Sequence, residues 1–229
     1  MPTVEELLEP IPGENPCGEN LYYAPVYDKI KEARRQDDEG PMGQWERDRK
    51  TADFTLVVKL AEESLLKKTK DIQIAVWLTE AWIYRDKIGG LAAGLRLLKG
   101  LVELYWDQVY PEIEDDDTEM RATPLEWLGS YFDPSKGSSP IFAVRATALT
   151  KSGLSWFAYK DSRAIGYESD VKGNEARTKA RNAAIAEGKA SPEEFDKEAS
   201  ATPKPFFRKL EKDCKDSLQI LEELNELCR

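Results

Sequence analysis

The chain has 229 residues, with 33 Lys and Arg against 43 Asp and Glu for a formal net charge of −10. Its length and 41% hydrophobic content allow a real core and exclude disorder throughout, while the acidity disfavours nucleic-acid phosphates and anionic membrane surfaces as partners. Histidine is absent, which removes His-activated nucleophiles and most zinc sites, and the cysteines at 17, 214 and 228 fit neither a disulfide framework nor a CxxC metal site.

Apolar runs such as "IQIAVWL" fall well short of the ~20 residues that cross a bilayer. The acidic start "MPTVEELLEPIPGENP" lacks the basic region and apolar core of a signal peptide. Together these predict a cytoplasmic protein with reduced thiols, no cofactor and no membrane insertion.

In chain order, Thr3 as N-cap and Glu6 as its capping-box partner predict a short helix to Leu8, stopped by Pro10. The loop "PIPGENPCGENL" (10–21) holds three prolines and two glycines, and the Leu21-Tyr22-Tyr23 that follows gives it apolar side chains with which to dock. Val26, Ile30 and Ala33 mark the next helix, and "QDDEGPMGQWERDRKTAD" reads as a mobile loop. Asp53 caps an amphipathic helix carrying Phe54, Val57, Val58, Ala61 and Leu65. Behind Asp71, the helix Ile72 to Tyr84 is apolar nearly all round and is therefore central.

"KIGG" reads as a turn, followed by a stripe of Leu91, Leu95, Leu98, Val102 and Tyr105 with Arg96, Lys99 and Glu103 as a polar outer face. Gly94 beside the stripe suits close helix contact, whereas Gly100 faces away from it. Trp77, Trp82 and Trp106 read as core. A short helix spans Glu119 to Tyr131 and ends at "DPSKGSSP". From 141 to 174 the pattern is irregular apart from "LSWFAYKDSRAIGY". Helices follow over Glu175 to Glu187, over "SPEEFDKEA" with Ser191 as cap, Pro192 at its first position and Glu194 closing the box, and from Pro203 onward. In the last, Phe207, Leu210, Cys214, Leu221, Leu224 and Cys228 follow a heptad-like spacing broken by Ser217, and the pattern runs to Arg229 without a cap, as in a helix cut within a longer protein. The expected fold is all-α: a multi-helix bundle with a central buried helix, an irregular N-terminal loop and a long C-terminal helix. Its core covers about 20–132 and a second helical portion about 141–229.

Candidate chemistry is sparse. Cys17 has no histidine to activate it, and Glu14 and Glu19 nearby raise its pKa, so packing is the expected role. "EIEDDDTE" lacks the alternating ligands of an EF-hand and suits a solvated helix start, although the segment Glu114 to Asp117 keeps a metal- or carboxylate-dependent enzyme open as an alternative. Ser152 with Lys151 or Lys160 carries no weight as a dyad, and "GGLAAG" has no P-loop lysine.

The order of segments resembles the ImpA N-terminal domain of the TssA family of bacterial type VI secretion systems. The loop motif maps onto Pro16, Cys17, Gly18, Glu19 and Leu21, a K-D-I helix start onto Asp71 and Ile72, and a G-L-A-A-G-L run onto Gly90 to Leu95. A Y-W-D-x-V-x-P ending maps onto Tyr105, Trp106, Asp107, Val109 and Pro111, with one arginine, Arg121, after the acidic turn. Tyr110 departs from the pattern where members often have histidine. The resemblance implies a non-enzymatic assembly and docking module that contacts baseplate, tube and sheath proteins, its motif residues structural or partner-docking, with ring formation in C-terminal regions beyond Arg229. The chain by itself is then a monomer, or a dimer through the last helix around Leu221, Leu224 and Cys228. A helical adaptor outside secretion is the remaining alternative.

Overall fold

The computed structural model describes residues 2–36, 50–113, 115, 117–129 and 140–229, and these form twelve α-helices without a β-strand. Local sequence chemistry starts the first of them. α1 (Val4–Leu8) begins at a complete capping box, Thr3 Oγ1 accepting from Glu6 N at 3.2 Å and Glu6 Oε2 from Thr3 N at 2.7 Å. α2 (Pro25–Arg34) has proline at its first position, where the missing N–H has no intrahelical partner to lose. Asp53 and Asp71 cap α3 (Phe54–Lys67) and α4 (Ile72–Asp86) by accepting from Leu56 N and Ile74 N.

The expected central helix is α4. Ile72 and every residue from Ile74 to Ile83 are buried, because α3, α5 (Ile88–Tyr105), α6 (Glu119–Gly129) and α7 (Pro140–Arg145) all pack against it. The expected "KIGG" turn is not there. Lys87 alone separates α4 from α5, at φ 61° with its ammonium donating to the Tyr84 carbonyl, and residues 88–90 already form the first turn of α5. A joint this short forces close approach, and a Cβ at Gly90 would stand 2.1 Å from the Trp82 carbonyl oxygen. Gly94 meets Thr79 of α4, as expected for helix contact, and Gly100 is covered by the Leu8 side chain.

Trp77 and Trp82 lie in the core, but Trp106 is 36% exposed at the end of α5. The pattern misplaced it because that ring is covered on one face by the Arg121 guanidinium, 5.0 Å from its centroid, rather than by apolar neighbours. α6 (Glu119–Gly129) contains Pro124, and its expected end at Tyr131 lies outside the described residues, as do most of the loop over 36–53 and "DPSKGSSP". α7 (Pro140–Arg145) is helical where the sequence read as irregular. α8 (Trp156–Ile165), α9 (Glu168–Val171), α10 (Glu175–Ala186) and α11 (Pro192–Ala201) pack on one another, with Tyr159 edge-on to Phe195 at 5.4 Å.

The longest helix, α12 (Lys204–Leu227), returns to lie along α5. The polar side of α5 is therefore also the edge of an interface: Arg96 pairs with Asp216 at 3.6 Å and Lys99 with Glu223 at 2.8 Å across it, while Arg96 and Glu103 stay exposed and Lys99 pairs with Glu103 within α5 at 3.5 Å. The line that α12 buries also differs from the expected seam. It runs through Ser217, Ile220 and Leu224, while Leu221 is 50% exposed and Cys228 is exposed. Ser217 does not break the packing line, because its small side chain fits against α5 and its Oγ donates to the Asp213 carbonyl at 2.7 Å.

Trp77 joins the layers: its ring lies 4.7 Å from that of Tyr27 and under the Arg34 guanidinium, which pairs with Glu80 at 2.6 Å. Trp77→Ala is expected to lower stability by about 3–5 kcal/mol in urea unfolding, as large aromatic deletions in cores do. A loss below about 1 kcal/mol would contradict a core position for this ring.

Candidate docking site

The Pro- and Gly-rich loop is stitched to the start of α4 by backbone hydrogen bonds. Glu19 N donates to Lys68 O and Lys70 N to Cys17 O, both at 2.8 Å, and the end of the α5 segment joins from the other side, Tyr110 N donating to Lys70 O at 3.0 Å and Ile72 N to Tyr110 O at 2.8 Å. Three stretches distant in sequence thus meet edge to edge over 17–19, 68–72 and 110. Gly18 is required here. Its φ is 69°, and a Cβ would lie 2.0 Å from the Lys68 carbonyl oxygen.

Asn15 shapes the loop from inside. Its Oδ1 accepts from Cys17 N at 2.9 Å, and its Nδ2 donates to Gly18 O at 2.9 Å and to Tyr110 Oη at 3.2 Å. Tyr110 Oη in turn donates to Gly18 O at 3.1 Å, so the residue that departs from the family pattern is part of the clasp. Cys17 is fully buried beneath it, with Leu21 beside it in the core. Burial pushes the Cys17 thiol pKa up, with Lys70 and Arg121 pulling it down. That replaces the expected influence of Glu14 and Glu19 and leaves Cys17 a poor nucleophile.

Two cations close the site from below without touching a carboxylate. The fully buried Lys70 ammonium donates to the carbonyls of Leu7 and Leu65 at 2.7 and 2.8 Å, in the last turns of α1 and α3, where carbonyls lack helical partners and the dipole favours positive charge. Burial lowers its pKa to about 8, against the opposing pull of Cys17 and Glu9. Arg121, 1% exposed, donates from Nε to Pro111 O at 2.8 Å and from Nη1 to Trp106 O. Tyr105 Oη donates to Leu8 O at 2.6 Å. Asp71 is buried as well, and burial pushes its carboxyl up to about 7 despite hydrogen bonds from the Ile74 and Gln73 backbone.

Of the residues singled out from sequence, Pro16, Cys17, Gly18, Glu19, Leu21, Asp71, Tyr105, Trp106, Pro111 and Arg121 gather at this clasp. Pro16 offers its carbonyl to Ile11 N at 2.9 Å, and the Glu19 side chain is exposed. Asp107 is exposed beside the clasp, and Gly90 lies apart at the α4–α5 joint. Asn15 and Lys70 escaped the sequence reading: an asparagine in a loop is unremarkable, and no pattern marks a lysine that will be buried. Arg34 and Glu80 escaped it too, although a glutamate in the middle of an apolar helix was a readable sign of a buried pair.

Immediately after the clasp the chain presents Tyr22, 46% exposed, and Tyr23, 93% exposed. Tyr22 lies 5.3 Å from Tyr27, which contacts Trp77, so a file of rings runs from the surface to the core. An open groove bounded by Pro12, Ala24, Val26 and Lys68 flanks it. Among the described residues no group of His, Cys, Asp and Glu is arranged to hold a metal ion; Glu114 and Asp116 of the acidic segment lie outside them. Ser152 Oγ sits 2.9 Å from Thr150 Oγ1.

The family described as ImpA, N-terminal, type VI secretion system matches residues 8–130, more than half the chain and the whole of the clasp. The chain belongs to this ImpA N-terminal family. Over 114 residues it is 32% identical to the type VI secretion system component TssA1 of Pseudomonas aeruginosa, covering 50% of this chain and 33% of that protein, so it spans about a third of that relative's length. The N-terminal domain of the TssA component from Burkholderia cenocepacia, which includes the conserved ImpA_N region, superposes with a TM-score of 0.79 at 31% identity, over 99% of this chain and 82% of that one. The structural likeness thus continues through α8–α12, past the end of the ImpA N-terminal match.

The buried Asp71 carboxyl makes stability depend on pH. A carboxyl whose folded pKa, about 7, exceeds its ordinary value of 3.8 binds more protons folded than unfolded in between, so its contribution to stability falls as pH rises from about 4 to about 7 and is level above. Asn at position 71 still caps α4 but cannot ionise. The stability of Asp71→Asn relative to the parent should therefore increase from pH 4 to pH 7 in urea unfolding and then hold steady. A difference independent of pH would show that the buried carboxyl is not shifted.

Proposed function

We propose that the chain is a non-enzymatic docking module of a TssA-type component, acting in the cytoplasm where baseplate, tube and sheath proteins assemble. One observation carries this reading: the polar tips of Lys70, Tyr105, Tyr110 and Arg121 are engaged by backbone carbonyls. They shape a surface, and among the described residues of the clasp they leave no convergent acid, base or nucleophile. What the clasp presents outward is aromatic, and exposed tyrosines on a rigid base suit a protein contact. No helix among the described residues is long and apolar enough to cross a membrane. In this reading the portion 20–132 docks, the portion 141–229 is a second helical portion of the same domain, and ring formation belongs to regions of the longer protein outside this chain. Each docking contact is then weak, and display on a ring raises its avidity by about 10²–10⁴.

The reading is tested by measuring binding of the chain to purified baseplate, tube and sheath proteins of a type VI system. Tyr22→Ala with Tyr23→Ala should weaken the productive interaction by about tenfold or more with the fold intact, as for loss of an aromatic anchor. Cys17→Ser should leave binding unchanged and at most lower the melting temperature. Binding to none of these proteins, or loss of binding in a folded Cys17→Ser chain with the tyrosine variant unaffected, would overturn it.

A further inference from the structure

α12 carries a second apolar line besides the one packed on α5. Phe207, Cys214, Leu218, Leu221 and Cys228 follow at spacings of seven, four, three and seven residues, and at 100° per residue they form a stripe on the flank of the helix, centred roughly 90° around from Ser217, Ile220 and Leu224. Phe207 is 38%, Leu221 50% and Leu218 60% exposed, so the line is largely uncovered.

The charges of α12 are divided along its length. Its first half carries Lys204, Arg208, Lys209, Lys212 and Lys215 against Glu211 and Asp213, whereas from Asp216 to Leu227 there are only acids: Asp216, Glu222, Glu223 and Glu226. Several pair within the helix, Lys209 with Asp213, Lys212 with Asp216 and Lys215 with Glu211, and Glu223 reaches Lys99. Lys204 and Arg208 at one end, and Glu222 and Glu226 at the other, have no ion pair among the described residues.

We propose that two copies of this chain pair through this line with their α12 helices antiparallel. A two-fold axis near the middle of α12 sets the basic end of each helix against the acidic end of the other, so Arg208 of one copy faces Glu222 and Glu226 of its partner twice over. Parallel pairing would place like charges side by side. Antiparallel packing also opposes the two helix dipoles, and 24 residues give about 36 Å of contact, more than three heptads. This self-pairing does not rest on the docking reading, because the Tyr22–Tyr23 surface lies on another element.

Sedimentation equilibrium of the chain from about 1 to 200 µM tests it, a span in which micromolar pairing registers. A reversible dimer is expected, converted to monomer by Leu218→Glu or Leu221→Glu. Both side chains are at least half exposed, so circular dichroism should show an unchanged fold. Arg208→Glu should raise the dissociation constant by about tenfold, and adding Glu222→Arg with Glu226→Arg should restore it. Orientation is read separately in a Cys214→Ser background under mild oxidation: antiparallel helices keep the two Cys228 thiols at opposite ends and form no disulfide dimer. A monomer throughout, an assembly larger than a dimer, a dimer indifferent to the leucine substitutions, failure of the charge reversal to restore pairing, or a Cys228–Cys228 disulfide would each overturn the proposal.

Discussion

A helix buried on every side has no solvent to complete it, and α4 is such a helix. Each of its polar groups must find a partner in protein, and so must the chain that enters and leaves it. Glu80 is met by Arg34, and Thr79 Oγ1 donates back to Ala75 O at 2.8 Å. Trp82 Nε1 donates to Glu62 at 3.1 Å. The entry is satisfied by Asp71 and by the backbone of the opening loop, and the exit is reduced to Lys87. The irregular loop and the tight joint at Gly90 both follow from one requirement, that the ends of α4 be built from other parts of the chain. Among the described residues Thr69 Oγ1, directly before that entry, is the buried side-chain oxygen left without a partner.

Two ionisable neighbours sit at this entry with opposite electrostatic costs. Burial holds Lys70 down at about 8 and Asp71 up at about 7. A depressed lysine contributes more stability as pH rises from about 8 through its ordinary 10.5, whereas the contribution of Asp71 has already fallen by about 7. Near neutral pH Lys70 therefore stands mostly in the charged form that burial opposes, while Asp71 lies near the midpoint between its two forms. The helix ends above Lys70 offset part of that cost by supplying carbonyl oxygens whose dipoles point at the ammonium. A carboxylate partner would give a stronger attraction but would add a second buried charge.

Much of the fold was legible because it rests on local rules. The capping residues Thr3, Asp53, Asp71 and Ser191 announced their helices, and the all-round apolar run behind Asp71 announced the central one. What stayed hidden was set by contacts between distant segments. Polar residues on one side of α5 read as solvated because periodicity carries no information about a second polar helix, and α12 supplied one. Gly100 had no visible purpose until Leu8 was placed over it. At the clasp the motif residues were found by resemblance, but their partners are backbone carbonyls, which have no side-chain identity to read. Lys70 is the clearest case, since Leu7 and Leu65 mark it only by where their carbonyls end up.

A family signature of this kind describes a scaffold more than a function. The side chains that carry the resemblance turn mostly inward: Cys17, Leu21, Asp71 and Arg121 are buried, and Gly18 is held against Lys68. A protein that shares these residues shares the way α4 is entered, and hence a rigid base, whatever it binds. If the clasp docks a partner as proposed, recognition is written in the residues that the base holds outward. In the proposed docking reading those are Tyr22 and Tyr23, and the Glu19 and Asp107 side chains are exposed as well. None of these four is needed to satisfy a buried group, so each can change without loss of the fold. Two chains that agree throughout the clasp can therefore differ in partner, and differences at these exposed positions carry the information that the signature lacks.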